Sequence, residues 1–106
     1  MNSLENEILG TFKSLLSERL SVHKVILFGS RARGDADPDS DMDVIVVLEG
    51  PYTPSARNQV SDCAWEAGFE HGIVVAPVVY SREEWENGPE KYSPFVQTVL
   101  AEGVSI

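Results

Sequence analysis

Phe28-Gly29-Ser30-Arg31-Ala32-Arg33-Gly34, followed after an acidic loop by Ser40-Asp41-Met42-Asp43-Val44-Ile45-Val46-Val47, is the stretch on which the reading of this chain turns. A turn of small residues closes one apolar run, and two carboxylates on alternate residues open the next. Side chains two apart in a strand share a face at a spacing of about 6.5 Å, so Asp41 and Asp43 are expected to converge on one small volume. Carboxylates held that close repel and raise each other's pKa unless a cation lies between them. Mg²⁺ (or Mn²⁺) suits the pair, being a hard ion commonly held by one or two carboxylates together with substrate phosphates. The stretch therefore predicts a site for a metal-bound nucleoside triphosphate, with Asp41 and Asp43 as metal ligands.

Gly29 lacks a Cβ, so its backbone can approach a phosphate and adopt a positive φ where the strand ends. Ser30 adds a hydroxyl donor, and a short helix begun at residues 30–34 would present N–H groups and a favourable dipole to an anion. A Gly-Ser pair alone would be only a turn; the Asp41/Asp43 pair at the right distance makes it a candidate phosphate loop. Asp43 precedes five apolar residues, and an unpaired carboxylate at the start of a buried strand is costly. Arg33 is a candidate phosphate ligand, and Arg31 has the same guanidinium chemistry. Pairing of either with Asp35, Asp37 or Asp39 in the loop is the alternative. The alternating aspartates do not form a calcium loop, because neither the frame from Asp35 nor that from Asp37 places Gly at position six or Glu at position twelve.

Gly29-Ser30, ten intervening residues and Asp41-Met42-Asp43 resemble the GSx10DxD signature of the nucleotidyltransferase superfamily that includes DNA polymerase beta. The Gly-Ser-x-Ala-Arg-Gly form in a chain of 106 residues is similar to its minimal nucleotidyltransferase (MNT) branch. The likeness extends over nearly the whole chain, to a closing Glu102-Gly103-Val104. It implies an α/β (α+β) nucleotidyltransferase fold, a small mixed β-sheet flanked by helices, and catalytic roles for Asp41 and Asp43. It further implies transfer of a nucleoside monophosphate, AMP from Mg-ATP, to a hydroxyl of a partner protein. That partner is expected to be a HEPN-domain protein, with this chain as antitoxin.

One departure from the family pattern is visible. A third carboxylate usually stands on the next strand beside the DxD pair, yet Ile73-Val74-Val75-Ala76-Pro77-Val78-Val79-Tyr80 contains no acid. Glu70 and Glu83 flank this run without a strand position that faces the site. A general base contributes about 10²–10⁴ in rate, so binding survives this loss better than catalysis. The alternative function is accordingly a catalytically weak or inactive module of the same fold that neutralises its partner by contact.

The remaining sequence sets the frame. One domain is expected over residues 1–106, a size able to bury one core. A net charge of -9 and a pI near 4.5 oppose general nucleic-acid binding, which needs a basic stripe. No apolar run approaches the ~20 residues of a membrane span and no leader pattern opens the chain, so a cytoplasmic location is expected. Cys63, the single cysteine, excludes an internal disulfide and reads as a buried thiol. His23 and His71 lack partners at zinc spacing.

Leu4, Ile8, Phe12, Leu15 and Leu16 predict a helix near residues 3–20 begun by Asn2 and Glu5. Strands are expected over 22–28, 42–48 and 73–80, the first two buried on both faces and the third an edge or bulged strand because of Pro77. Helices are expected over 54–72, in the short segment capped by Ser81 and Glu84, and from Ser93-Pro94 to Gly103. Trp65, Phe69, Trp85 and Tyr92 are core or interface aromatics; in a domain this small, core is the commoner place.

Overall fold

The computed structural model describes residues 1–106, and all its elements pack on one four-stranded sheet. In chain order these are α1 (Ser3–Arg19), β1 (Val22–Phe28), α2 (Ser30–Arg33), β2 (Met42–Leu48), α3 (Pro54–Phe69), β3 (Val75–Ser81), α4 (Arg82–Asn87), α5 (Pro94–Glu102) and β4 (Val104–Ser105). A 3₁₀ turn at Pro89–Tyr92 joins α4 to α5.

Helix starts follow local chemistry. Asn2 caps α1 by accepting the Glu5 N–H at 2.8 Å, and Glu5 returns the bond by accepting the Asn2 N–H at 2.9 Å. Ser81 and Glu84 form the same box at α4. The hydroxyls of Thr53 and Ser93 cap α3 and α5, each followed by Pro at the first helical position, where its missing N–H costs nothing.

The strands lie in the order β3-β2-β1-β4. β2 pairs antiparallel with β1 and parallel with β3, so the sheet is mixed, as the family resemblance implies. β3 is an edge strand, which accommodates Pro77. It begins at Val75 rather than Ile73, because the chain is still turning: the Ile73 N–H returns to the Gly68 carbonyl at 3.2 Å. For the same reason α3 ends at Phe69, short of Gly72.

The first strand is fully buried only from Val25 to Leu27. His23 and Lys24 remain accessible, where burial on both faces is the sequence expectation. A fourth strand, absent from the sequence reading, follows Gly103; a Cβ there would lie 2.6 Å from Ile26 Cγ2, so only glycine lets the chain settle against β1.

Alternation along the strands divides the interior. Val25, Leu27, Met42, Val44, Val46, Leu48 and Val75 point to one face and pack on Ile8, Leu9, Phe12 and Leu16 of α1 and on Val60, Cys63, Ala64 and Ala67 of α3. Ile26, Ile45, Val47 and Tyr80 point to the other, under Trp85 of α4 and Val96 and Val99 of α5. No helix is long and apolar enough to cross a membrane.

Candidate active site

Asp43 sits on the second of these faces, at the end that α4 and α5 leave open. Its register partners are Phe28 on β1 and Ala76 on β3, both directed to the same side. The carboxyl is partly buried, and that burial, followed by the neighbouring charge of Asp41, raises its pKa. Asp41 stands one residue before β2, exposed. Strand geometry thus accounts for Asp43, whereas Asp41 belongs to the loop that leads into the strand. The two carboxylates still lie close enough to interact, and their uncompensated repulsion is the electrostatic condition a divalent cation relieves.

Gly29 links the candidate phosphate loop to this pair. Its φ of 75° and ψ of -155° belong to a region that side-chain-bearing residues avoid, and a Cβ at this position would lie 2.8 Å from Asp43 Oδ2. Ser30 opens α2, and the Gly29 carbonyl accepts the N–H groups of Ala32 and Arg33 at 3.1 Å. That leaves the N–H groups of the first turn, at Ser30 and Arg31, without partners inside the helix, on the side where β1 ends. Gly34 stops α2 in the left-handed conformation.

The two arginines of the loop have different fates. Arg33 is exposed and pairs loosely with Asp35 at 3.4 Å and Glu102 at 3.5 Å, contacts that favour its charged form. Arg31 is buried: it binds Glu5 of α1 at 3.0 Å and donates to the carbonyls of Ser40 and Pro38. It pairs with none of Asp35, Asp37 and Asp39, and its guanidinium is committed to the fold, so it is no candidate phosphate ligand. Burial by itself would raise the pKa of Glu5, but the Asn2 N–H and the Arg31 guanidinium outweigh it and hold the carboxyl below its usual range. Sequence reasoning missed this pair, because Glu5 reads fully as a capping residue.

Beside Asp43, where a third carboxylate would stand, the side chain is the methyl of Ala76. Glu70 lies beyond the end of α3 and Glu83 on α4, both exposed, and no three acids, histidines or cysteines gather into a metal-binding group. The residues present fit a cation held by two carboxylates with its other positions filled by phosphate and water.

An apolar groove of about 520 Å³ lies elsewhere, between α3 and the turn into β3. Trp65 and Phe69 stack there at 4.5 Å and are each 64% exposed, whereas Trp85 is in the core and Tyr92 is exposed. Its lining of Trp65, Phe69, Ile73, Val74 and Pro77 offers no charged group to a triphosphate.

With this geometry in view, the likeness to known proteins is specific. A nucleotidyltransferase domain model matches residues 7–93. "Putative protein adenylyltransferase MJ0141" of Methanocaldococcus jannaschii is 33% identical over 78 residues, covering 72% of this chain and 79% of that protein. "Putative protein adenylyltransferase MJ0604" of the same organism is 34% identical over 97 residues, covering 92% and 88%. Among solved structures, a chain of a toxin–antitoxin crystal structure with AMP-PNP superposes with a TM-score of 0.61 at 22% identity, covering 95% of this chain and 70% of that one. A chain from a complex of tri-AMPylated Shewanella oneidensis HEPN toxin with MNT antitoxin gives 0.56 at 17%, covering 96% and 70%. At these identities the structural matches establish a shared fold.

Proposed function

The chain belongs to the nucleotidyltransferase domain family, and from that premise we propose that it transfers AMP from ATP to a hydroxyl of a partner protein. The observation that carries this reading is Gly29 seated against Asp43, which joins a phosphate loop to a carboxylate pair in one site. The names of the archaeal relatives support adenylylation of protein, and the complexes that share the fold support a HEPN-domain toxin as acceptor and an antitoxin role.

In this reading residues 1–106 act as a single nucleotidyltransferase domain in the cytoplasm. The backbone of Gly29 and Ser30 receives the triphosphate, and Arg33 exchanges its exposed contacts with Asp35 and Glu102 for phosphate oxygens. Asp41 and Asp43 would hold Mg²⁺ (or Mn²⁺), which when bound would supply Lewis-acid neutralisation of the triphosphate charge. The acceptor oxygen bonds to the α-phosphorus as the bond from that phosphorus to pyrophosphate breaks. Its proton finds no carboxylate at Ala76, so it leaves to a group of the acceptor protein or to water.

The same alanine favours a second reading, a binding module that retains the nucleotide site and neutralises its partner by contact, its acidic surface complementing a basic one. Incubation with α-labelled ATP, Mg²⁺ and a candidate HEPN-domain partner separates the two. Label on the partner, lost with Asp41→Asn, is the expected result; tight neutralisation of the partner without label would leave only the binding module.

A further inference from the structure

The two carboxylates are held by different means. Asp43 is inside β2, in register with a strand on each side. Asp41 is outside it, and only its neighbours are anchored. On one side the Met42 N–H donates to the Val74 carbonyl at 2.8 Å. On the other, the Ser40 carbonyl accepts from Arg31 Nη2 at 2.7 Å and Nε at 2.9 Å. Arg31 Nη2 also donates to the Pro38 carbonyl at 2.9 Å. Three of the four hydrogen bonds of this guanidinium thus go to the loop that delivers Asp41, and one goes to Glu5.

We propose that Arg31 is a positioning residue for the metal pair: by clamping the Ser40 carbonyl it sets the direction in which Asp41 leaves the loop, and so sets the affinity for the divalent cation that Asp41 and Asp43 share. The inference rests on the metal reading given above. A guanidinium suits the task because its planar fork spans two carbonyls and a carboxylate at once, which an ammonium cannot do with the same geometry. The side chain is only 3% exposed, so its charge is desolvated and the bonds are held rather than exchanged with water. Arg31 also follows Gly29-Ser30 directly in α2, so one side chain ties the turn that receives phosphate to the loop that presents the metal ligand.

A purely structural role for Arg31 makes a different prediction, and Mn²⁺ affinity measured by electron paramagnetic resonance, with and without ATP, distinguishes them. Arg31→Lys keeps a buried charge beside Glu5 but loses the fork; Mn²⁺ binding should weaken by about 10-fold or more, the size seen when a metal ligand loses its outer support. Glu5→Gln keeps the fork on Ser40 and Pro38, and Val60→Ala lies in the core beyond the site. Both should lower the thermal midpoint while leaving Mn²⁺ affinity within about twofold, well short of that 10-fold loss.

Should Arg31→Lys not fold, a glycine inserted between Ser40 and Asp41 leaves the buried arginine intact and uncouples it from Asp41; the same loss of affinity is expected. Unchanged Mn²⁺ affinity in Arg31→Lys, or in the insertion variant, overturns the inference while leaving the metal site standing. Absence of Mn²⁺ binding by the unaltered chain, with or without ATP, would remove the metal reading itself and this inference with it.

Discussion

The two faces of the sheet are built from the same strands and are finished differently. On the closed face, α1 and α3 cover β1, β2 and the start of β3, and every β2 side chain directed there is apolar and buried. On the other face α4 and α5 cover Ile45, Val47 and Tyr80 and reach Phe28 through the edge of Phe95, but stop short of Asp43 and Ala76. The chain thus packs one side along its whole length and the other only in part, leaving the Asp43 end open. Stability and function are separable to the extent that this division holds, and substitutions on either side test it.

The largest effect is expected on the closed face. Phe12 is fully buried between helix and sheet, and Phe12→Ala should cost about 3–5 kcal/mol in denaturant unfolding, from lost transfer energy and the cavity left behind. In a domain of this size that is a large part of total stability. A loss below about 1 kcal/mol would mean the closed face is not the principal core.

Next in size is the removal of the carboxylate pair, which should leave the fold intact. A ligand at 100 times its Kd stabilises by about 2.7 kcal/mol, and Asp41→Asn with Asp43→Asn should abolish the rise in thermal midpoint that Mg²⁺ and ATP produce. Without ligand the double variant should be no less stable at neutral pH. The sign follows from Asp43: its pKa is raised in the folded state, so its contribution is fully favourable below the unfolded value and is lost as pH rises through the folded one. Removing that charge relieves a cost. Retention of the full nucleotide-dependent rise by the double variant would end the metal assignment.

The legibility of the sequence follows the same division. Local signals are sound: the capping boxes at Asn2/Glu5 and Ser81/Glu84, the strands 22–28 and 42–48, the edge position of Pro77 and the buried thiol of Cys63 are all present. Each depends on residues a few positions apart. What escaped depends on distance along the chain. β4 is two residues long, too short for any period, and is defined by pairing with β1. The Arg31–Glu5 bond joins residues 26 apart, and nothing in either neighbourhood announces it. The outward turn of Trp65 and Phe69 against the inward turn of Trp85 is likewise set by what covers each helix.

Gly29 lies where the two regimes meet, at the end of a core strand and against Asp43. Gly29→Ala should cost about 1–3 kcal/mol, because its backbone conformation strains any residue with a Cβ. The new methyl must also displace the Asp43 carboxylate, 2.8 Å from where it would stand. The magnesium- and ATP-dependent rise in thermal midpoint should therefore shrink beyond what the lower stability explains. A variant that loses stability and keeps the whole ligand-dependent rise would show Gly29 to be a structural glycine only.

The smallest effect sharpens the comparison most directly, because one substitution can be made on both faces. Val78 of β3 is 38% exposed on the open face, in register with Ile45. Val44 of β2 is fully buried on the closed face. Threonine keeps the shape of valine and its preference for strands but replaces a methyl by a hydroxyl, so the difference between the sites reports desolvation of one polar group. Val78→Thr, with water within reach of the hydroxyl, should change stability by less than about 0.5 kcal/mol. Val44→Thr must bury a hydroxyl among side chains that offer no partner, or bend it onto backbone already committed to β1 and β3, and should cost about 1–3 kcal/mol. Equal costs at the two positions would mean that the open face is covered in solution, and the separation of the packing side from the chemical side would fail with it.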